Sequence, residues 1–306
     1  MLTQSRIDAA TAGFRAVFMK AYEGASPEWK DLAFLVPSSS KSETYEFITS
    51  MPEVKQLTGE AKVEQFASAG FVVVNQEWEA TVEVPIADIE RDALGLYGPQ
   101  FTEMADQARM HPQELVAELL NNGFTATDYT GTAFFADSKK FNPDDKSKGA
   151  ATFDNKGTAA LSLASLGAGI QSIKERKNAK GKSLRLGRKL VLVVPPALEI
   201  TARKLLTAEL LQSADGNASE TNVLRNSFTL VVLPELTSAT AWFLMEAGRA
   251  IKPLVVQMEK EPEFIAADNP TDAAIVKSKK FLYQSYGRYN AGYALPQLAY
   301  GSTGAA

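Results

Sequence analysis

Between residues 281 and 295 every second side chain is apolar, aromatic or small: Phe281, Tyr283, Ser285, Gly287, Tyr289, Ala291, Tyr293 and Leu295. That is the two-residue period of a β-strand, kept up well beyond the roughly 5–6 residues of an ordinary one. Such a strand needs another element to cover its tyrosine-rich face. The opposite face is mixed, since Gln284, Arg288 and Asn290 are polar while Leu282 and Tyr286 are not.

The strongest helical pattern in the chain could supply the cover. Apolar residues fall at Phe101, Met104, Ala105, Ala108, Leu115, Val116, Leu119 and Leu120, and Pro112 lies on the same stripe. The phase survives the proline, so the spacing predicts one kinked helix over residues 98–122. It would be ~37 Å long at ~1.5 Å per residue, with Gly123 as the residue that closes it. Phe101, Met104, Leu115 and Leu119 are its expected core positions. Residues 71–86 read as a second strand: Trp78, Ala80, Val82, Val84 and Ile86 alternate with Glu77, Glu79, Thr81 and Glu83. One face is apolar and the other acidic.

The rest of the chain is less regular. Ile7, Ala10, Phe14, Val17 and Phe18 mark an amphipathic helix over residues 3–22, and residues 24–60 are broken by proline, serine and glycine. Helices are expected over residues 161–177 and 197–211, the latter with Leu198, Ala202, Leu205, Leu206 and Leu210 inward. Buried strands are expected over 189–194, 228–233, 241–245 and 254–258. Strands alternating with helices suggest a compact α/β domain over residues 158–250. Residues 213–222 read as a loop.

Composition excludes more than it assigns. The chain has 306 residues, no cysteine and one histidine, with a net charge of −4. Disulfides, thiol nucleophiles and cysteine-ligated metals are ruled out. His111 cannot build a two-histidine metal site, and no Gly-x-Ser-x-Gly elbow is present. It reads as a helix-surface or kink residue. Gly181, Lys182 and Ser183 imitate the end of a phosphate-binding loop, but Arg176 stands where its first glycine is required. No apolar run reaches the ~18 residues of a membrane helix, and no secretion signal is visible. Eight basic residues and one acid fall between Lys174 and Lys189. They are read first as a helix end followed by a solvated turn, with a basic patch for phosphate or an anionic partner as the alternative. No catalytic, cofactor-binding or metal-binding residue is expected.

The order of segments, with their local sequences, resembles a known family. "VPIADIERDALGLYGPQFTEMADQARMHPQELVAELLNNGF", "GTAFFADSKKFNP", "NAKGKSLRLGRKLVLVVPPALEITARKLL" and "KFLYQSYGRYNAGYALPQLAYG" each resemble stretches of the Mu-like phage major head subunit family, in the family's order. "SSSKSETYEFITSMPEVKQLTGE" resembles the approach to its extended loop. The histidine often found just after the Phe-Phe pair is absent. The resemblance covers about residues 5–302.

It implies an α+β fold of the HK97-like capsid type. The parts would be an N-terminal arm (1–40), an extended E-loop hairpin (41–85), a P-domain (86–157) with a spine helix (98–122), an inserted α/β A-domain (158–250), and P-domain return strands with the C-terminus (251–306). It implies a capsid subunit without enzymatic activity or cofactor, forming hexamers and pentamers with copies of itself. The shell would enclose double-stranded DNA contacted without sequence specificity. Partners would be a scaffolding protein, a portal and, where used, decoration proteins, with no membrane. Assembly would take place in the host cytoplasm and the final location would be the virion capsid. Contacts between subunits are expected at Tyr45, Phe47, Lys55, Glu77, Glu79, Tyr286 and Arg288. A loop at the capsomer axis is expected around Asp215, Asn217 and Glu220. Two alternatives stay open at this point: an encapsulin-type compartment of the same fold, and a soluble two-domain α/β enzyme.

Overall fold

A computed structural model describes residues 3–48, 68–91, 94–142, 150–178, 181–212 and 219–305. In chain order the elements begin with α1 (Gln4–Gly24), α2 (Trp29–Leu32), β1 (Ala33–Pro37), β2 (Ser42–Ile48), β3 (Ser68–Val74), β4 (Gln76–Pro85), α3 (Ile86–Glu90) and α4 (Gly98–Asn122). Three short strands follow, β5 (Lys139–Lys140), β6 (Thr152–Phe153) and β7 (Lys156–Gly157). Then come α5 (Leu163–Lys174), β8 (Leu190–Val194), α6 (Pro196–Thr207), β9 (Leu210–Gln212), β10 (Ser219–Thr221), β11 (Thr229–Val232) and β12 (Trp242–Glu246). The last elements are β13 (Leu254–Ala267), α7 (Ala273–Ser278), β14 (Lys280–Tyr293) and β15 (Ala299–Ser302).

The long alternating strand is β14, the third strand of a sheet ordered β1-β13-β14-β4. It pairs antiparallel with β13 on one side and β4 on the other, and β1 runs parallel to β13. Phe281, Tyr283, Ser285, Gly287 and Tyr289 are all buried. Phe281 and Tyr283 lie in one core with Ile7, Phe14 and Phe18 of α1 and Phe101, Met104 and Ala105 of α4. The β13–β14 register shifts twice, between Met258 and Lys260 and between Lys260 and Glu263. Gly287 faces that irregularity. A Cβ there would come within 3.2 Å of Lys260 O and 2.9 Å of the Tyr289 ring, so only glycine fits.

The second sheet is ordered β11-β8-β12-β15-β7. Strand β8 is buried throughout because both its faces are covered. Val191 and Val193 enter a core with Val116, Ala117 and Leu120 of α4, and Leu190, Leu192 and Val194 face Leu166, Ile170 and Ile173 of α5 and Leu205 and Leu206 of α6. Helix α4 therefore serves two cores. Its first half lies against the first sheet with α1, and its second half belongs to the core of the second sheet, with the buried Pro112 between them.

Several expectations need correction. Residues 1–40 are not a free arm: α1 packs on α4, because its stripe of Ile7, Ala10, Phe14, Phe18 and Tyr22 is buried there, and β1 joins the first sheet. Residues 41–85 are not all hairpin. Strands β2 and β3 pair with each other, but β4 leaves them for the first sheet, where its apolar face finds cover. The sheet of the 158–250 unit extends beyond that range, taking β7 and β15 from outside it. The strand expected at 254–258 is the start of β13 and lies beside β14 in the first sheet, with the return strands expected over 251–306. Helix α6 ends at Thr207, so Leu210 lies in β9 and is 57% exposed rather than inward. Gly123 keeps a right-handed φ of −62°. It is glycine for a different reason, since a Cβ would sit 2.8 Å from the Phe135 ring.

Candidate assembly surfaces

The hairpin base is anchored to the first sheet. The Tyr45 hydroxyl donates to Gln257 Oε1 at 2.6 Å, and its ring packs on Phe71. Burial pushes this hydroxyl's pKa up to about 12, with the Glu43 carboxylate adding to the shift. Gln257 donates to Val73 O at 3.3 Å and Asn290 to Val74 O at 2.8 Å. Tyr45 thus fastens the hairpin to its own subunit. The backbone of Phe47 pairs with Ala69, while Lys55 lies outside the described residues. Apolar side chains remain in water beside this anchor: Val72 is 58% and Leu35 49% exposed.

Glu77 and Glu79 are exposed on β4, at the edge of the first sheet, directly across from Arg288 and Tyr286 of β14. Arg288 forms an ion pair with Glu259 at 2.8 Å, and Lys260 one with Glu263 at 2.5 Å. The Lys260 ammonium lies 5.3 Å from the centre of the Tyr286 ring. Tyr286 and Arg288 are therefore half-exposed members of one charged cluster, placed where β13 bulges.

Glu220 sits in β10, which pairs with β9, while Asp215 and Asn217 lie outside the described residues. On α4, Phe101, Met104 and Leu115 are buried and Leu119 is half-buried, its carbonyl accepting from Tyr293 Oη at 2.7 Å. His111 stands at the proline, its Nδ1 3.0 Å from the Tyr289 hydroxyl. Burial lowers the His111 pKa against the opposing pull of Glu114 and Glu118.

Sequence reasoning missed two buried cations. Lys139 is fully buried, and its Nζ donates to Asp128 Oδ2 (2.9 Å), Thr130 Oγ1 (3.0 Å), Thr132 Oγ1 (3.0 Å) and Ala133 O (2.6 Å). The loop folds round the ammonium and closes on it with four oxygen acceptors. Asp128, Thr130 and Thr132 alternate in sequence, and that spacing was the available signal. Arg176, hidden inside the basic run, donates to the carbonyls of Gln297 (2.6 Å), Ala299 (2.8 Å) and Asp154 (3.2 Å). It ties the end of α5 to the start of β15 and to the backbone at Asp154. Burial lowers the pKa of its guanidinium, opposed by Tyr300 and Asp154. Among the described residues no group of three possible metal ligands occurs, and no helix is long and apolar enough to cross a membrane.

Comparison with known proteins gives this arrangement a context. A model of the Mu-like prophage major head subunit gpT family matches residues 7–160, 151–236 and 234–305, nearly the whole chain. The chain belongs to that family. It is a major capsid subunit, a structural protein and not an enzyme, and the soluble-enzyme reading falls with that. The major capsid protein of Escherichia phage Mu is 24% identical over 98% of this chain and 74% of its own length. The Mu-like prophage FluMu major head subunit of Haemophilus influenzae is 22% identical over 99% of the chain and 75% of its own. Among solved structures, the procapsid of bacteriophage JBD30 aligns with a TM-score of 0.63 at 24% identity, covering 98% of the head subunit and 76% of that chain. A virus-like particle from Pyrococcus furiosus aligns at 0.53 with 10% identity, over 95% of this chain and 98% of that one. The fold is HK97-like and α+β. The two sheets and the helix running past both of them are this subunit's version of it.

Proposed function

We propose that the subunit assembles through hexamers and pentamers into the icosahedral head of a tailed Mu-like phage and encloses double-stranded DNA. The family match along nearly the whole chain carries this reading. The surfaces support it: an anchored hairpin with exposed Val72 and Leu35 beside it, and a charged edge strand, β4, whose outer edge has no strand partner among the described residues. A closed ring of heterologous contacts needs such unlike patches on every copy.

In this reading the first sheet with α4 is the P-domain, the second sheet forms most of the A-domain, and the hairpin is the E-loop reaching over a neighbour. Phe47 and Lys55 travel with that hairpin. Tyr286 and Arg288 meet an adjacent subunit, and Asp215, Asn217 and Glu220 lie in the loop at the capsomer axis. Assembly takes place in the host cytoplasm with a scaffolding protein and a portal, and decoration proteins, where used, bind the finished shell. The net charge of −4 suits a container whose wall must not hold its polyanion tightly.

Nuclease treatment of purified heads tests the contents. The expected result is double-stranded DNA protected inside intact particles and digested once they are opened. Particles that hold a protein cargo and no protected DNA would instead favour the compartment reading.

A further inference from the structure

Charge on this subunit is sorted rather than mixed. The chain is net −4, yet residues 174–189 hold eight basic residues and one acid. Those among the described residues lie at the end of α5 and in the turns leading into β8. Arg176 points inward, but Lys174, Lys177, Arg185 and Arg188 are exposed. Among the described residues, none of these four is paired with a carboxylate. The turn that carries Arg188 is fixed from beneath. The buried Glu246 carboxylate accepts the backbone N–H groups of Gly187 (2.5 Å), Arg188 (3.2 Å) and Gly248 (2.9 Å).

The opposite sign gathers on the uncovered face of the first sheet, where Glu77, Glu79, Glu83, Glu259 and Glu263 lie. Among the described residues that face carries three cations, and each is taken by a carboxylate of the same face: Arg288 by Glu259, Lys260 by Glu263 and Lys280 by Glu83. Glu77 and Glu79 are left without a cation among the described residues, although Glu79 accepts from the Gln284 amide. Both stand on the free edge strand, with side chains on one face because they are two residues apart.

We propose that Glu77 and Glu79 of one head subunit dock against the basic surface around Lys177 and Arg188 of the next copy. This rests on the head-subunit reading and names a contact within it. Two unlike patches on one chain make a heterologous contact, the kind that closes a ring. The signs also set polarity, because a neighbour turned round would bring acid against acid. The contact is exposed at its rim, so salt weakens it.

Three charge-reversed forms of the full chain test this: E77K/E79K, K177E/R188E and the combination of all four. The readout is the fraction of subunit in shells, by sedimentation at low ionic strength. Each pair alone is expected to lower that fraction by about tenfold or more, and the combination to restore it to within about threefold of the unaltered chain. Three results would overturn the contact. One is assembly of either pair at the unaltered level. Another is a combination no better than its worse parent while circular dichroism shows a folded chain. The third is K177E/R188E shells at full yield that lose protected DNA, which would give the basic surface to phosphate instead. If the unaltered chain, expressed with its own head genes, forms no shells, the assembly reading fails and takes this contact with it.

Discussion

Replacing Lys139 with methionine is expected to destabilise the folded subunit by about 3–5 kcal/mol, the cost of stranding one member of a buried ion pair. Methionine keeps the length of the side chain and removes the ammonium. Asp128 then loses its cation, and Thr130, Thr132 and the Ala133 carbonyl lose a shared donor. Both side chains of the pair are fully buried, so water cannot replace what is lost. The loop concerned leads directly into Phe134 and Phe135, which are buried in the core beneath the second half of α4. Damage should therefore reach the second sheet. Urea unfolding of K139M, D128N and the double variant measures it. The double variant should recover a substantial part of the loss, since neither charge is then left alone. A shift below about 1 kcal/mol for K139M would mean that Nζ is solvated and the cage does not form.

The second large effect concerns the other core. Phe101→Ala is expected to cost about 3–5 kcal/mol, as other large-to-small changes at buried aromatic positions do. Phe101 is fully buried, stacks on Phe14 at 4.4 Å and meets Tyr283 edge-on at 5.5 Å. It joins three elements at once: α1, α4 and the long strand β14. Loss of its ring should loosen α1 first, because that helix is held to the body chiefly through Phe14, Phe18 and their neighbours. Hydrogen exchange should speed up across Gln4–Gly24 while β8 keeps its protection, since the β8 core lies on the other half of α4. Equal loss of protection in both regions would contradict the division of α4 between two cores.

The two features that fixed the topology most firmly were legible in the sequence. The alternation from Phe281 onward is a strand with its aromatic face buried, and the apolar stripe through Pro112 is one helix from Gly98 to Asn122. Periodicity reports which face is buried and says nothing about which neighbour buries it. That is why the apolar run at residue 254 read as a strand by its pattern while only the family resemblance placed it with the return strands, and why the pairing of β15 with β12 was invisible. The acidic face of β4 was legible too, because Glu77 and Glu79 alternate with apolar neighbours; its place at the sheet edge was not. The buried cations were not. Lys139 and Arg176 look like solvated surface charges until the chain folds carbonyls and hydroxyls around them. Tyr45 was a similar case: an exposed-looking aromatic on a hairpin, it is held by Gln257, more than 200 residues away in sequence.

Electron cryomicroscopy of particles formed by this chain expressed with its own head genes tests the central claim most directly. The account predicts closed icosahedral shells in which this subunit occupies the five- and six-fold rings, with its hairpin lying over the adjacent copy. Folded subunits that remain monomeric, with neither rings nor shells under those conditions, would contradict it.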